Sequence, residues 1–333
     1  MAYIKAISSY LPEKILTNEK LVEEFPEWTV DKIADKIGVK VRHIAGDDET
    51  ALEMAVKAAE HLFCENNEIQ REDIDFVLFC TQSPDFFLPT SACIIQERLG
   101  LGTNTGAIDF NLGCSGYIYG LSLAKGLIAG GIAKNILLLT AETYSKYLHP
   151  KDKGNRTIFG DAATATVISI HGFAEIGEFA LGTDGRGAEN LIVRNGASRN
   201  KSISNQVDFD RNKNPVSPDF LFMNGSEIFS FTQRNVPKIV KATIQKNNLR
   251  SEDIDLYVFH QANAYMLDFL RKKMNISSEN YLVCMEETGN TVSNSIPLAL
   301  TYAQKEDRLQ GNILLCGFGV GYSWGGCIIK IKK

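Results

Sequence analysis

The sequence predicts an α/β fold made of two similar halves, and three observations predict it. The chain has 333 residues, more than twice a common single-domain length, so two domains or two fused halves are expected. It also repeats itself. REDIDFVLFCTQS begins at Arg71 and SEDIDLYVFHQAN at Ser251, 180 positions later; NILLLTAETYS begins at Asn135 and NILLCGFGVGYS at Asn312, 177 positions later. Two matches at nearly one offset point to an internal duplication. Finally, short β-branched runs alternate with helical patterns, which predicts parallel strands joined by crossover helices.

Each element follows from its local pattern. Ala51–Cys64 has helical apolar spacing and precedes a strand-length run, Phe76–Cys80, entered through Asp-Ile-Asp. A helix follows Pro89. Gly106–Phe110 is a buried-looking strand, and a tight glycine turn leads from it into a long apolar helix from about Ser115 to Ala129. Ile136–Thr140 and Ala163–Ile170 are the next strands. Thr183–Asp219 is polar, with Gly, Asn, Arg and Ser clusters and little periodicity. It is too long for a plain turn and is expected to cross the surface as a cap near a site. A helical stretch at Val236–Asn247 and the strand Leu256–Phe259 open the second repeat. The expected division is a first half at 1–175, a connecting segment at 176–220 and a second half at 221–333.

Composition removes several function classes. At 44% hydrophobic and 23% charged residues the chain can bury a large core, which excludes disorder as its main state. A net charge of −5 argues against a nucleic-acid partner held by a basic field. No apolar run approaches the ~20 residues of a membrane-spanning helix. The N-terminal MAYIKAISSYLPEK lacks the apolar stretch of a signal peptide. Seven cysteines are scattered with no CxxC pair, so free thiols in a reducing cytoplasm are expected rather than disulfides or zinc ligands.

Cys114 is the first candidate for chemistry. It stands in Leu-Gly-Cys-Ser-Gly, at a strand-to-helix turn, where unpaired backbone N–H groups and the helix dipole favour thiolate. The competing reading is a small buried hydrophobe. Cys64, Cys80, Cys93, Cys284, Cys316 and Cys327 lie inside apolar patterns and are expected in the core. His260 is the second candidate, at the carboxyl end of Leu256–Phe259, where ligands of parallel sheets bind. His171 is a rival without polar company; His43, His61 and His149 look like surface or packing residues. Asn290 is the third. Adding the repeat offset of 177 to Cys114 lands beside it, so a pseudo-twofold would bring both to equivalent helix starts facing one crevice. A helix cap or turn former is the alternative for Asn290. The glycine-rich turn Gly317–Gly321 lacks a Walker Lys-Ser/Thr, and a backbone N–H aimed at a carbonyl oxygen suits it better. Phe159-Gly160-Asp161 is expected to be a turn with a structural, buried aspartate. HExxH is missing.

With Cys114, His260 and Asn290 in that order on a duplicated chain, the sequence resembles the β-ketoacyl-acyl-carrier-protein synthase III family of the thiolase superfamily. The resemblance runs almost end to end. It is carried by EWTV…GVKVRHIA, DFNLGCSGYIYGL, IFGDAATA, GTDGRGAENL, FLFMNGSEIFSFT, HQANAYM, ETGNTVSNSIPLAL and GFGVGYSWGG. It implies a thiolase-like fold with five α-β-α-β-α layers and a decarboxylative Claisen condensation. Cys114 matches the nucleophile that takes an acyl group from acyl-coenzyme A. His260 and Asn290 match the pair that stabilises the enolate of a malonyl-acyl-carrier protein as carbon dioxide leaves. The oxyanion hole falls on the backbone N–H of Cys114 and of Val320. Trp28, Lys36, Lys153, Asn263 and Tyr265 fall at coenzyme A or carrier positions, and Leu88, Phe222 and Met223 at acyl-pocket positions.

The resemblance also implies a homodimer and no cofactor, since the coenzyme A thioester and the phosphopantetheine carrier are substrates. Several positions depart from familiar members. Tyr265 replaces a basic residue, Lys36 and Lys153 stand where arginine is usual, Val320 replaces a glycine and Leu88 replaces an aromatic cap. Lysine lacks the bidentate fork, so phosphate contacts are expected to differ. Two alternatives remain: a specialised synthase or acyltransferase of the superfamily, and a non-catalytic chain-length partner, which the retained Cys114 disfavours.

Overall fold

The alternation of side chains along the strands sets the layers. The computed structural model describes residues 1–210 and 213–332. Its first half carries strands β1 (Tyr3–Tyr10), β2 (Phe76–Cys80), β3 (Gly106–Phe110), β4 (Asn135–Glu142) and β5 (Ala162–Ser169). The second carries β6 (Ala174–Thr183), β7 (Leu256–Phe259), β8 (Tyr281–Leu282), β9 (Asn312–Gly319) and β10 (Ser323–Ile331). Period-2 geometry sends neighbouring residues to opposite faces. Leu78, Leu138, Val258 and Leu315 share one apolar cluster. Val77, Phe79, Leu137 and Leu139 belong to a second, and Tyr257, Phe259, Leu314 and Cys316 to a third.

The helices fill those three layers. In the middle lie α4 (Gly116–Ala129), through Tyr117, Ile118 and Leu121, and α7 (Ser295–Lys305), through Ile296, Ala299 and Leu300. Outside the first half pack α2 (Ala51–Glu65) and α3 (Ser91–Arg98); outside the second pack α5 (Gly225–Lys246) and α6 (Ala264–Lys273). A shorter α1 (Val30–Ile37) sits near α6, its Ile33 and Ile37 in the third cluster. The result is the five-layered α-β-α-β-α arrangement of a thiolase-like fold.

The duplication is visible in the pairing. Strand order is β3-β2-β4-β5-β1 in the first half and β8-β7-β9-β10-β6 in the second, joined edge to edge at β1 and β6. In each half the first three strands of that order are parallel, and the fourth, β5 or β10, runs antiparallel to both its neighbours. The all-parallel expectation therefore fails for β5. Between β4 and β5 stand only the short helical turns Tyr144–Tyr147 and Lys153–Arg156, too little for a crossover helix. Ala174–Thr183, divided at 175/176 by the sequence reading, is a single strand of the second half.

Two further expectations need correction. The helix expected at Val236–Asn247 begins at Gly225, because the Asn224 side chain accepts from the Glu227 N–H and caps it there. Cys64 and Cys93 are exposed and Cys284 is half-buried, while Cys80, Cys316 and Cys327 are core. Cys64 lies in the last turn of α2 and Cys93 near the start of α3, where an amphipathic helix turns one side to water. Between the halves, Leu191–Ile192 pairs with Phe222–Met223 and Asp208–Phe209 with Pro215–Val216. The Asp219 carboxylate ties this cap together by accepting from Asn195, Ser204 and Asn205.

Candidate active site

Four loops that leave the carboxyl ends of parallel strands converge on one place. Cys114 follows β3 and precedes α4; His260 follows β7; Asn290 lies between β8 and α7; Val320 follows β9. The loops of Cys114 and Asn290 thus hold equivalent places in the two halves, as the repeat arithmetic predicts. All three side chains are buried: 7% of Cys114, 2% of His260 and 5% of Asn290 remain exposed. Cys114 shares an apolar cluster with Tyr144, Phe159, Leu191, Leu221 and Val292, against which Val320 and Met223 pack.

The sulfur sits in a tight seat. A Cβ at position 319 would lie 2.9 Å from Sγ of Cys114, so only glycine fits there. Backbone N–H groups of Cys114 and Val320 both face the sulfur and pull its pKa down, but burial and the nearby Glu142 outweigh them and push the thiol up to about 12. The expected preference for thiolate is therefore reversed in the free site: two N–H dipoles do not repay the loss of solvent.

His260 and Asn290 form a pair. Nδ2 of Asn290 stands 3.5 Å from Nε2 of His260. Oδ1 of Asn290 accepts from the Val292 N–H at 2.9 Å, and its amide nitrogen donates one proton to the Ala262 carbonyl oxygen at 3.4 Å, which leaves the other N–H as a donor. On its other side the imidazole meets Oγ of Ser295 at 2.7 Å and the Phe318 ring edge-on at 5.6 Å. Burial pulls His260 down to about 3, so the ring is neutral at ordinary pH. The first half anchors the Asn290 loop. Thr140 donates to Oδ1 of Asn294 at 2.6 Å, and Ser293 donates to Glu142 at 3.1 Å.

Glu142 had no place in the sequence reading. Its fully buried carboxylate accepts from the Gln82 N–H, Ser83 and Ser293, and burial raises its pKa to about 8. The available signal was an acidic residue closing the apolar run NILLLTAE. Asp161 keeps its expected structural place, accepting from the N–H groups of Ala45 and Ser145. His171 and His61 are exposed, and His43 and His149 are half-buried.

Two cavities meet at Leu221 beside this cluster. One, of about 750 Å³, is lined by Trp28, Lys36, Lys153, Phe222 and Met223. Lys36 lies 6.0 Å from the Trp28 ring centre, and Lys153 is paired with Glu27 at 2.6 Å. The other, of about 1020 Å³, runs from Phe86, Phe87 and Leu88 to Tyr144 and Val320. The three residues expected in one acyl pocket are thereby divided: Leu88 lines the second cavity, while Phe222 and Met223 line the first. Asn263 and Tyr265 line neither. Asn263 caps α6 by accepting from the Met266 N–H at 2.8 Å, and Tyr265, 64% exposed, packs on Phe229.

Comparison with known proteins agrees with this geometry. Residues 108–185 match the family model 3-oxoacyl-[acyl-carrier-protein] synthase III, and residues 244–331 match its C-terminal counterpart. A β-ketoacyl-[acyl-carrier-protein] synthase III of Clostridium perfringens is 35% identical over 97% of both chains. A crystal structure of a 3-oxoacyl-(acyl-carrier-protein) synthase III is 47% identical and covers 99% of both chains, with a TM-score of 0.96. The Burkholderia xenovorans 3-oxoacyl-(acyl-carrier protein) synthase is 36% identical over 99% of this chain and 94% of its own, with a TM-score of 0.91. Duplicated topology, convergent loops and full-length relatives together mean that the chain belongs to the β-ketoacyl-[acyl-carrier-protein] synthase III family of thiolase-fold acyltransferases.

Proposed function

We propose that this chain loads an acyl group from acyl-coenzyme A onto Cys114 and condenses it with a malonyl-acyl-carrier protein, releasing carbon dioxide and a 3-oxoacyl-acyl-carrier protein. The observation that carries this reading is the paired set of donors. Two backbone N–H groups face the Cys114 sulfur, and two side-chain nitrogens, of His260 and Asn290, stand together. Each acyl transfer at Cys114 passes through a tetrahedral oxyanion, which the N–H groups of Cys114 and Val320 stabilise. Decarboxylation builds negative charge on the malonyl thioester oxygen instead, and His260 and Asn290 donate to it. A buried, neutral histidine suits that task because it offers a hydrogen bond without first repelling a proton.

The cavity lined by Trp28, Lys36 and Lys153 suits entry of a phosphopantetheine arm, with the lysines as point charges at its rim. Coenzyme A and carrier thioesters are substrates, and the chemistry proposed uses no resident metal or prosthetic group. The cavity from Leu88 to Val320 suits the acyl chain. Its outer rim is the exposed Phe86-Phe87-Leu88 segment, which we take as part of a homodimer interface. No described helix is long and apolar enough to cross a membrane. All seven cysteines are free, as a reducing cytoplasm would keep them.

The test is release of carbon dioxide from a malonyl thioester by His260→Ala and Asn290→Ala. Each should lose about 10²–10³ in rate, or ~3–4 kcal/mol, while still accepting an acyl group on Cys114. Wild-type decarboxylation by either variant would remove that residue from the role.

A further inference from the structure

The cavity proposed above for the acyl chain has apolar walls, Leu221 and Val320 among them, but one stretch of its lining is polar. There Gln82, Asn111, Tyr144 and Tyr147 are joined by hydrogen bonds. The Tyr144 hydroxyl donates to Oε1 of Gln82 at 2.6 Å, and Nε2 of Gln82 donates to Oδ1 of Asn111 at 2.9 Å. The Tyr147 hydroxyl donates to the Gln82 carbonyl oxygen at 2.8 Å. Gln82 stands two residues past the end of β2, and its backbone N–H is held by the buried Glu142.

The direction of these bonds fixes what the lining offers. Tyr144 is 4% exposed, and Oε1 of Gln82 is the acceptor its phenol proton finds among the described residues. A buried hydroxyl keeps its partner, so the Gln82 amide has one orientation, oxygen toward Tyr144 and nitrogen toward Asn111. Both side-chain amide oxygens and both phenol protons are then engaged, and donors are left over. Nε2 of Gln82 has a second N–H and Nδ2 of the exposed Asn111 has two, none with an acceptor among the described residues. These donors lie near the nucleophile. Gly113 immediately precedes Cys114, and a Cβ on it would fall 2.5 Å from Oε1 of Gln82 and 2.6 Å from Cγ1 of Val320. An acyl chain leaving Cys114 into this cavity passes the amide within its first few atoms. Among the described lining residues there is no lysine, arginine or histidine, and the one carboxyl is that of Asp85. A carboxylate on the chain would find no cation there.

We propose that Gln82 and Asn111 are specificity-determining residues that select a starter whose acyl chain carries a neutral acceptor oxygen, of an ether or a ketone, at its third or fourth atom. The inference rests on the acyl-loading role proposed for Cys114. A plain alkyl chain that covers these N–H groups strips their water and offers no acceptor, whereas an oxygen at the same place accepts from them. The apolar remainder of the cavity holds the hydrocarbon part of the chain.

The experiment compares isosteric coenzyme A thioesters, methoxyacetyl with butyryl and 3-methoxypropionyl with pentanoyl. Each pair differs by one oxygen in place of a methylene. The initial rate of Cys114 acylation is read by intact-protein mass spectrometry at limiting thioester. Gln82→Met keeps the length of the side chain but leaves the Tyr144 hydroxyl unpaired. Gln82→Met/Tyr144→Phe removes both partners together and is the second variant. An ether thioester is the more reactive of its pair in any protein, so the deciding quantity is the ether-to-alkyl rate ratio of wild type divided by that of the variant. For at least one pair this quotient should be about tenfold or more against either variant, and the double variant should load the alkyl starter faster than wild type does. A quotient of one for both pairs would overturn the proposal and assign these donors to water. The same measurement separates the two readings. If none of the four thioesters acylates Cys114, the acyl-loading role fails and the selection with it. If all four acylate it and the quotient is one, the selection alone is wrong.

Discussion

Cys114 and Glu142 are two buried acids, and loss of solvent raises the pKa of both. Burial holds the thiol at about 12 in the free site. Alkylation of Cys114 by a small reagent should therefore climb about tenfold per pH unit from neutrality to beyond pH ~9, since only thiolate reacts. A rate that levels off near neutrality would show that the two N–H groups win over burial. Glu142 moves from 4.5 to about 8 for the same reason, desolvation. A carboxyl raised in the fold binds its proton more tightly there, so its contribution is complete below pH 4.5 and is lost as the pH rises through about 8. Glu142→Gln keeps the shape without the charge. Its Tm relative to wild type should rise between about pH 5 and about pH 8, and a difference independent of pH would show that Glu142 is not destabilised by its burial.

At the scale of elements, the site depends on how the loop before α7 is held by strand β4. Thr140 on β4 donates to Asn294, which is fully buried. Thr140→Val leaves that carbonyl oxygen unpaired and should cost about 1–3 kcal/mol of stability, read as a lower Tm together with slower condensation. Unchanged stability would mean that another donor takes over. Asn263 gives the contrasting case. As a cap of α6, its change to Ala should cost about 0.5–2 kcal/mol without altering the KM for coenzyme A thioesters; a raised KM with unchanged stability would return it to the binding site. These contacts explain what could and could not be seen in the sequence. Cys114, His260 and Asn290 were legible because each closes a strand-like run or sits at a repeat-related turn. Glu142, Ser293, Ser295 and Thr140 were not, because a polar residue in an apolar run shows no partner until two halves of the chain are folded together. The early start of α5 was hidden for a related reason: a cap at Asn224 is one residue among many polar ones. Exposure of Cys64 and Cys93 depends on which side of a helix meets the sheet, which a short apolar run does not fix.

Across the whole molecule, duplication accounts for both the layers and the place of the site. Two halves with the same strand order meet at β1 and β6, and the loops of both reach one crevice. Phe86, Phe87 and Leu88 are 57%, 83% and 82% exposed and line the cavity proposed above for the acyl chain. A patch of this kind on a globular protein marks an interaction site. Sedimentation should give a species of twice 36.9 kDa at micromolar concentration, and Phe87→Asp should shift it toward monomer. A wild-type monomer would leave the rim of that cavity open and remove the homodimer.

The central claim is that Cys114 alone carries the acyl group, and intact-protein mass spectrometry tests it most directly. After mixing with a panel of acyl-coenzyme A thioesters, each accepted starter should add the mass of one acyl group, located at Cys114 by peptide mapping. Cys114→Ala should show no increment, although the exposed Cys64 and Cys93 remain. Undiminished acylation of Cys114→Ala, or an acyl group mapped to any other cysteine, would contradict the account.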